Sequence, residues 1–235
     1  MTERPAPIAA TRHTIMLVTI FLGVSALIAL QVGRQVNAPP SPGHVNHVPL
    51  YLSAIAFEWG LFYAAWRGLH QAGTPVDRVL GQPLFSAGGW ARAAGLGLVA
   101  WPLILLVAIG VKMLLARAGL QVDAANTRTI VALGPHGPLE IVLWILVSIS
   151  AGICEEFVFR GYLMRQFAAW WGWLPALFAS AVVFGLGHAY QGIGPVLTIT
   201  VHGVSFGLLA LLTRRLGPGM VAHALEDIVS GLSGA

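Results

Sequence analysis

The sequence predicts an all-α, polytopic integral membrane fold of about seven transmembrane helices, and three observations carry that prediction. Of the 235 residues, 57% are hydrophobic and only 9% charged, whereas a soluble domain carries about 25% charge. Nine acidic and thirteen basic side chains cannot clothe a core of this length in water. The apolar residues also fall in long runs, punctuated by Pro, Gly and Arg, that meet the requirement of about 20 residues for a membrane-spanning helix.

Taken in order, the candidate spans are Thr14–Val32, Val48–Trp66, Ala93–Leu115, Leu139–Phe159 and onward, Trp173–Tyr190, Pro195–Leu212 and Pro218–Leu232. The first is long and no small-residue cleavage pattern follows it, so it is expected to remain as a span and not to be removed as a signal peptide. The seventh is the least apolar, with Glu226 and Asp227 at its middle. The links Gly68–Trp90 and Arg117–Pro138 contain Gly, Pro and polar residues and are expected to hold short interfacial helices. No repeat or composition break divides the chain. Residues 1–235 therefore read as one membrane-embedded domain whose polar motifs lie in 139–235.

Basic residues orient the spans. In a seven-span arrangement Arg4, Arg12, Arg67, Arg78, Arg92, Arg160, Arg165, Arg214 and Arg215 fall on one side, and Arg34, Lys112, Arg117 and Arg128 on the other. That excess predicts a cytoplasmic N-terminus, and the expected location is a bacterial inner (plasma) membrane. The dispersed Arg residues and net charge of +4 give no nucleic-acid footprint, so the partners expected are membrane lipids and a membrane-associated peptide or protein substrate. The single cysteine, Cys154, excludes an intrachain disulfide and reads as packing.

An ionisable side chain in hydrocarbon costs at least about 2.5–3.5 kcal/mol, so each one in a span asks for a reason. The fourth span carries Glu155-Glu156-Phe157-Val158-Phe159-Arg160. Glu156 and Arg160, spaced i, i+4, share a helix face and can neutralise each other. Glu155 is turned about 100° away and has no such partner, which suits a general base. The fifth span carries Phe184-Gly185-Leu186-Gly187-His188, with Phe184 and His188 on one face. The seventh carries His223-Ala224-Leu225-Glu226-Asp227, where His223 and Asp227 share a face.

Glu155 lies 17 residues before Gly172 and His188 lies 16 after it. A hairpin turn at Gly172–Pro175 therefore brings the two level, in the cytoplasmic leaflet, with His223 at similar depth inside the Arg214/Arg215 boundary. His188 then leaves too few residues to reach the far side before Pro195. Either the fifth helix stops short or the segment to Gly194 is re-entrant. Elsewhere, Glu58 and His202 read as structural hydrogen-bonding groups within spans, and His44 and His136 as solvated link residues. Trp170, Trp171 and Trp173 read as an interfacial belt.

The succession Glu-Glu-x-x-x-Arg, Phe-x-x-x-His and His-x-x-x-Asp over Glu155–Asp227 resembles the CAAX protease and bacteriocin-processing (CPBP, Abi) family of intramembrane glutamate proteases, which includes the Ras-converting prenyl endopeptidase. Upstream of about Leu139 only the hydropathy is similar. The resemblance implies an intramembrane endopeptidase with its site between spans four, five and seven. In it Glu155 and His188 activate a water, His223 and Asp227 stabilise the oxyanion, and Glu156 and Arg160 hold the local structure. Prenyl proteases of the family have Asn where this chain has Asp227, which donates to an oxyanion only when protonated. Asp227 alternatively orients His223 or ligates a metal. No cofactor is expected. The alternative is Zn²⁺ held by two His and two carboxylates, although the His-Glu-x-x-His spacing of soluble zinc proteases is missing. Two rival functions are a non-catalytic membrane immunity or scaffold protein and a small proton-coupled transporter using Glu58, Glu155 and His188.

Overall fold

The computed structural model describes residues 4–36, 46–81, 86–119 and 133–233. Among these, 86% are helical and none is in a strand. The helices are α1 (Thr11–Val36), α2 (Val48–Gln71), α3 (Val76–Leu80), α4 (Ala87–Arg117), α5 (Pro138–Glu155), a π-helical segment (Glu156–Leu163), α6 (Met164–Trp171), α7 (Trp173–Leu186), α8 (Ile193–Thr213) and α9 (Gly217–Ser233). Ends are set by ordinary local chemistry. Pro138 starts α5, where a missing N–H costs nothing, and Ser86 caps α4 by accepting from the Gly89 amide at 3.0 Å.

Five stretches are long and apolar enough to cross a membrane: Thr11–Gln31, Val48–Gln71, Gly88–Arg117, Pro138–Trp171 and Ile193–Thr213. The fourth runs unbroken through α5, the π-helical segment and α6. With α7 and α9 the bundle has the seven long elements that the hydropathy predicts. Leu103, Leu106, Leu114 and Leu212 point outward, as suits a lipid surround. The first link does hold a short helix, α3. The second link, Arg128 and His44 lie largely or wholly outside the described residues.

Gly172, at φ 85°, forms the expected hairpin turn between α6 and α7. Helix α7 then ends at Leu186 and a 3₁₀ turn covers Ala189–Gln191, so of the two alternatives the helix stops short. Its 14 residues rise about 21 Å, less than the hydrocarbon thickness of about 30 Å. His188 is thus left inside the bundle at the helix end.

Close packing comes from small residues. A Cβ on Gly152 in α5 would stand 2.6 Å from the Met220 carbonyl oxygen and 2.9 Å from the Ala224 amide of α9. A Cβ on Gly97 in α4 would stand 2.8 Å from the Pro218 carbonyl oxygen. These two glycines seat α9 between α4 and α5 with backbones nearly touching. Helices α7 and α8 meet in the same way, since a Cβ on Gly203 would stand 3.0 Å from Ala181 Cα. Gly152→Ala is expected to destabilise the fold by about 1–3 kcal/mol, the cost of overpacking, read as a lowered midpoint of thermal unfolding in detergent. The obstacle is backbone and cannot rotate away.

Helices α2 and α5 run parallel and in step. Tyr51 packs edge-on to Trp144 at 5.6 Å, the Trp59 indole N–H donates to Ser150 Oγ at 3.2 Å, and Phe62 lies 4.3 Å from Phe157 between ring centroids. This register sets Glu58 level with the turn from Ala151 to Glu155. At the opening of both helices, Glu140 accepts the backbone amides of His47 at 3.0 Å and His136 at 2.8 Å.

Candidate active site

Glu155 is the last residue of α5, and the π-helical segment begins immediately after it. All eight π-helical residues are buried. A π-helical stretch within a helix is rare and frequently marks a functional site. Ser180 of α7 fastens the segment by donating its hydroxyl to the Phe159 carbonyl at 2.7 Å.

The centre is built on Glu156, which is fully buried. Its Oε1 accepts from Arg160 Nη1 at 2.8 Å and from His223 Nδ1 at 3.1 Å. Arg160 reaches on through Nη2 to the Gly203 carbonyl of α8 at 3.1 Å. Its guanidinium lies over the Phe184 ring at 4.3 Å and the Phe206 ring at 5.4 Å. One ion pair thereby ties the π-helical segment, α7, α8 and α9 together. With Nδ1 committed to Glu156, the other nitrogen of His223 faces outward from the knot. His223 Nε2 stands 3.6 Å from Glu155 Oε2 and 3.6 Å from Asp227 Oδ2. The imidazole is held flat, stacked on Phe206 at 5.0 Å and 17° and edge-on to Phe184 at 5.7 Å.

His188 also packs on Phe184, whose ring it meets edge-on at 5.2 Å. Its Nδ1 contacts the Phe184 carbonyl at 3.2 Å. A carbonyl oxygen only accepts, so Nδ1 carries the hydrogen and the Nε2 lone pair is left unshared. Among the described residues no hydrogen bond or ion pair joins His188 to Glu155. Phe184 packs against Phe159 at 5.0 Å, and one helical turn further on His188 comes level with Glu155 and Glu156.

Five of the six residues singled out in the sequence, Glu155, Glu156, Arg160, His223 and Asp227, thus form one connected cluster, and His188 borders it across an aromatic ring. The seventh-span motif also contributes through its backbone, because the Trp144 indole N–H donates to the Asp227 carbonyl at 3.0 Å. The side chains of Glu155 and Asp227 keep 18% and 35% of their surface exposed, while those of Glu156 and Arg160 keep 0% and 1%. The open edge of the site is therefore carboxylate.

Several features are not visible in the sequence. Phe206 as the platform of His223 follows no motif. The 3₁₀ turn stacks Tyr190 beside the His188 ring at 6.2 Å. Among the described residues Glu58 Oε2 is buried without a hydrogen-bond partner, where the sequence reads a structural hydrogen-bonding group. His202 likewise leaves Nε2 without a hydrogen bond, 3.8 Å from Glu226 Oε1, while Glu226 Oε2 accepts from the Trp101 indole at 2.8 Å. Among the described residues no three His, Cys, Asp or Glu side chains are gathered as metal ligands. The four residues weighed as a zinc set pair with one another or with backbone.

The fold and the site define a helical integral membrane protein with a carboxylate and imidazole centre assembled from three of its long helices. Residues 137–229 match the family described as type II CAAX prenyl endopeptidase Rce1-like, in agreement with the resemblance drawn from the motifs. Every residue of the cluster lies within the matched segment, and Glu58 lies outside it. Neither a curated protein nor a solved structure matches the chain.

Proposed function

We propose that the chain is an intramembrane endopeptidase of the glutamate type, acting on a membrane-associated peptide or protein. Water is held between the Glu155 carboxylate and the unshared Nε2 of His188. Glu155 takes a proton as the water oxygen attacks the scissile carbonyl carbon. The carbonyl oxygen becomes an oxyanion, met by Nε2–H of a doubly protonated His223. Asp227, 3.6 Å from that nitrogen, orients it as a carboxylate. Collapse of the intermediate breaks the C–N bond, and the proton held by Glu155 passes to the leaving amine. Glu156 and Arg160 position His223 without touching the substrate.

The observation that carries this reading is the two-sided commitment of His223. One nitrogen is bonded to Glu156 at 3.1 Å and the other is aimed at the half-open edge shared by Glu155 and Asp227. A group fixed on one side and unsatisfied on the other is preorganised to meet charge that develops during a reaction.

Comparative peptide mass spectrometry tests it on membranes carrying the wild-type protein or Glu155→Gln, each with and without a divalent-metal chelator. New peptide termini are expected with wild type alone and are expected to persist in chelator. Identical peptide sets from the two proteins would remove the proposal. Termini that disappear with chelator would replace the water activation described here with metal-assisted hydrolysis.

A further inference from the structure

Glu58 is a buried carboxylate for which the proposed mechanism has no use. It is 8% exposed, its Oε2 is buried with no hydrogen-bond partner, and among the described residues no cation pairs with it. Among the described residues the other carboxylates within the bundle have partners. Glu156 has Arg160 and His223 on Oε1, although its Oε2 also lacks a hydrogen bond, Glu140 has two backbone amides and His47, and the half-buried Glu226 has the Trp101 indole. Leaving a carboxylate uncompensated inside a membrane protein is costly, so such groups are retained for function.

Its place in the fold gives it an address. The parallel register of α2 and α5 sets Glu58 level with the last turn of α5, where Glu155 stands. Phe62, one turn along the same face of α2, packs on Phe157, so this face of α2 is turned toward the site. Glu58 is close enough to feel the charges of Glu155 and Asp227, and Tyr190 senses all three. Arg160 is already bonded to Glu156 and Gly203 and is fully buried. The site therefore gathers three carboxylates from three helices, Glu155 and Asp227 at the open edge and Glu58 buried beside them, against the imidazoles of His223 and His188.

We propose that Glu58, together with Asp227, forms a subsite for a cationic side chain, Lys or Arg, next to the scissile bond of the substrate. The inference rests on the endopeptidase reading. A guanidinium or ammonium supplies both what the geometry lacks, a donor for Glu58 Oε2 and positive charge at the carboxylate edge. Arg, with its planar fork of donors, can bridge two carboxylates.

The test uses purified full-length protein in lipid vesicles and a peptide library in which the residues flanking the cleaved bond are varied as Arg, Lys, citrulline or Leu. Citrulline keeps the shape of Arg and lacks its charge. Wild type is expected to favour Arg and Lys over citrulline by about tenfold or more in kcat/KM, carried mainly by KM. In Glu58→Gln the ratio of Arg to citrulline is expected to fall to near one, with Glu58→Asp restoring part of it. Equal use of Arg and citrulline by wild type overturns the inference with no variant needed. So does a Glu58→Gln protein that loses kcat alike on every peptide, since that assigns Glu58 to proton transfer. In both cases cleavage by wild type leaves the endopeptidase reading standing, whereas a library left uncut by wild type and by every variant overturns both.

Discussion

Glu155→Gln in purified, lipid-reconstituted protein is expected to lower kcat for peptide hydrolysis by about 10²–10⁴-fold, the usual contribution of a positioned general base, while leaving the thermal unfolding midpoint unmoved. The separation of the two readouts follows from the environment of Glu155. Its side chain sits at the half-open edge, 18% exposed, and its nearest charged neighbour, His223 Nε2, is 3.6 Å away, beyond hydrogen-bond length. An amide of the same shape fits there without breaking a bond that the fold needs. What it cannot do is accept the proton of the attacking water.

The adjacent residue is expected to behave in the opposite way. Glu156→Gln leaves Arg160, which is 1% exposed, without a counter-ion inside the bundle, and removal of one partner of a buried pair costs about 3–5 kcal/mol. It also removes the charged acceptor of His223 Nδ1, so activity is expected to fall together with stability. Thermal unfolding in detergent reads the first effect and peptide turnover the second. The double variant Glu156→Met with Arg160→Met replaces both charged side chains by apolar ones of similar length. It is expected to recover most of the lost stability, because a buried pair replaced by apolar bulk is often neutral, and not the lost activity, because His223 stays unanchored. A double variant as unstable as the two single losses added together would mean that the pair stabilises the fold outright.

The contrast between neighbours that differ only by 100° around a helix shows what the sequence makes legible. Spacing along one helix translates directly into a shared face, so the Glu156–Arg160 pair, the His223–Asp227 pair and the Phe184–His188 contact all follow from i, i+4 counting. Residue counts from a turn give depth, and the hairpin at Gly172 therefore puts His188 and the Glu155 turn at one level. Hydropathy runs place the starts of α2, α5 and α7 within a residue or so, since lipid imposes one length scale on every span.

Relations between helices are a different matter, because depth does not fix which way a face is turned. Glu155, without a partner on its own helix, faces His223 of α9, and that encounter is set by Gly152 letting two backbones close up. The π-helical segment changes the angle between successive side chains after Glu155, and no residue type in Glu156–Leu163 announces the wider turn. The stacking of Phe206 on His223 and the missing partner of Glu58 depend likewise on the packing of three elements at once. Among the described residues Glu58 Oε2 has no partner, and the turn of α5 at Ala151, Gly152 and Cys154 offers it no side-chain donor stronger than a thiol.

A turnover carried out in oxygen-18 water reads the role of Glu155 at the level of the bond made. Wild-type protein is expected to place one labelled oxygen in each new carboxyl terminus, and Glu155→Gln to place none above the uncatalysed background. Label entering the product at the wild-type rate in Glu155→Gln, or wild-type product whose new terminus carries no label, contradicts attack by a water that Glu155 activates.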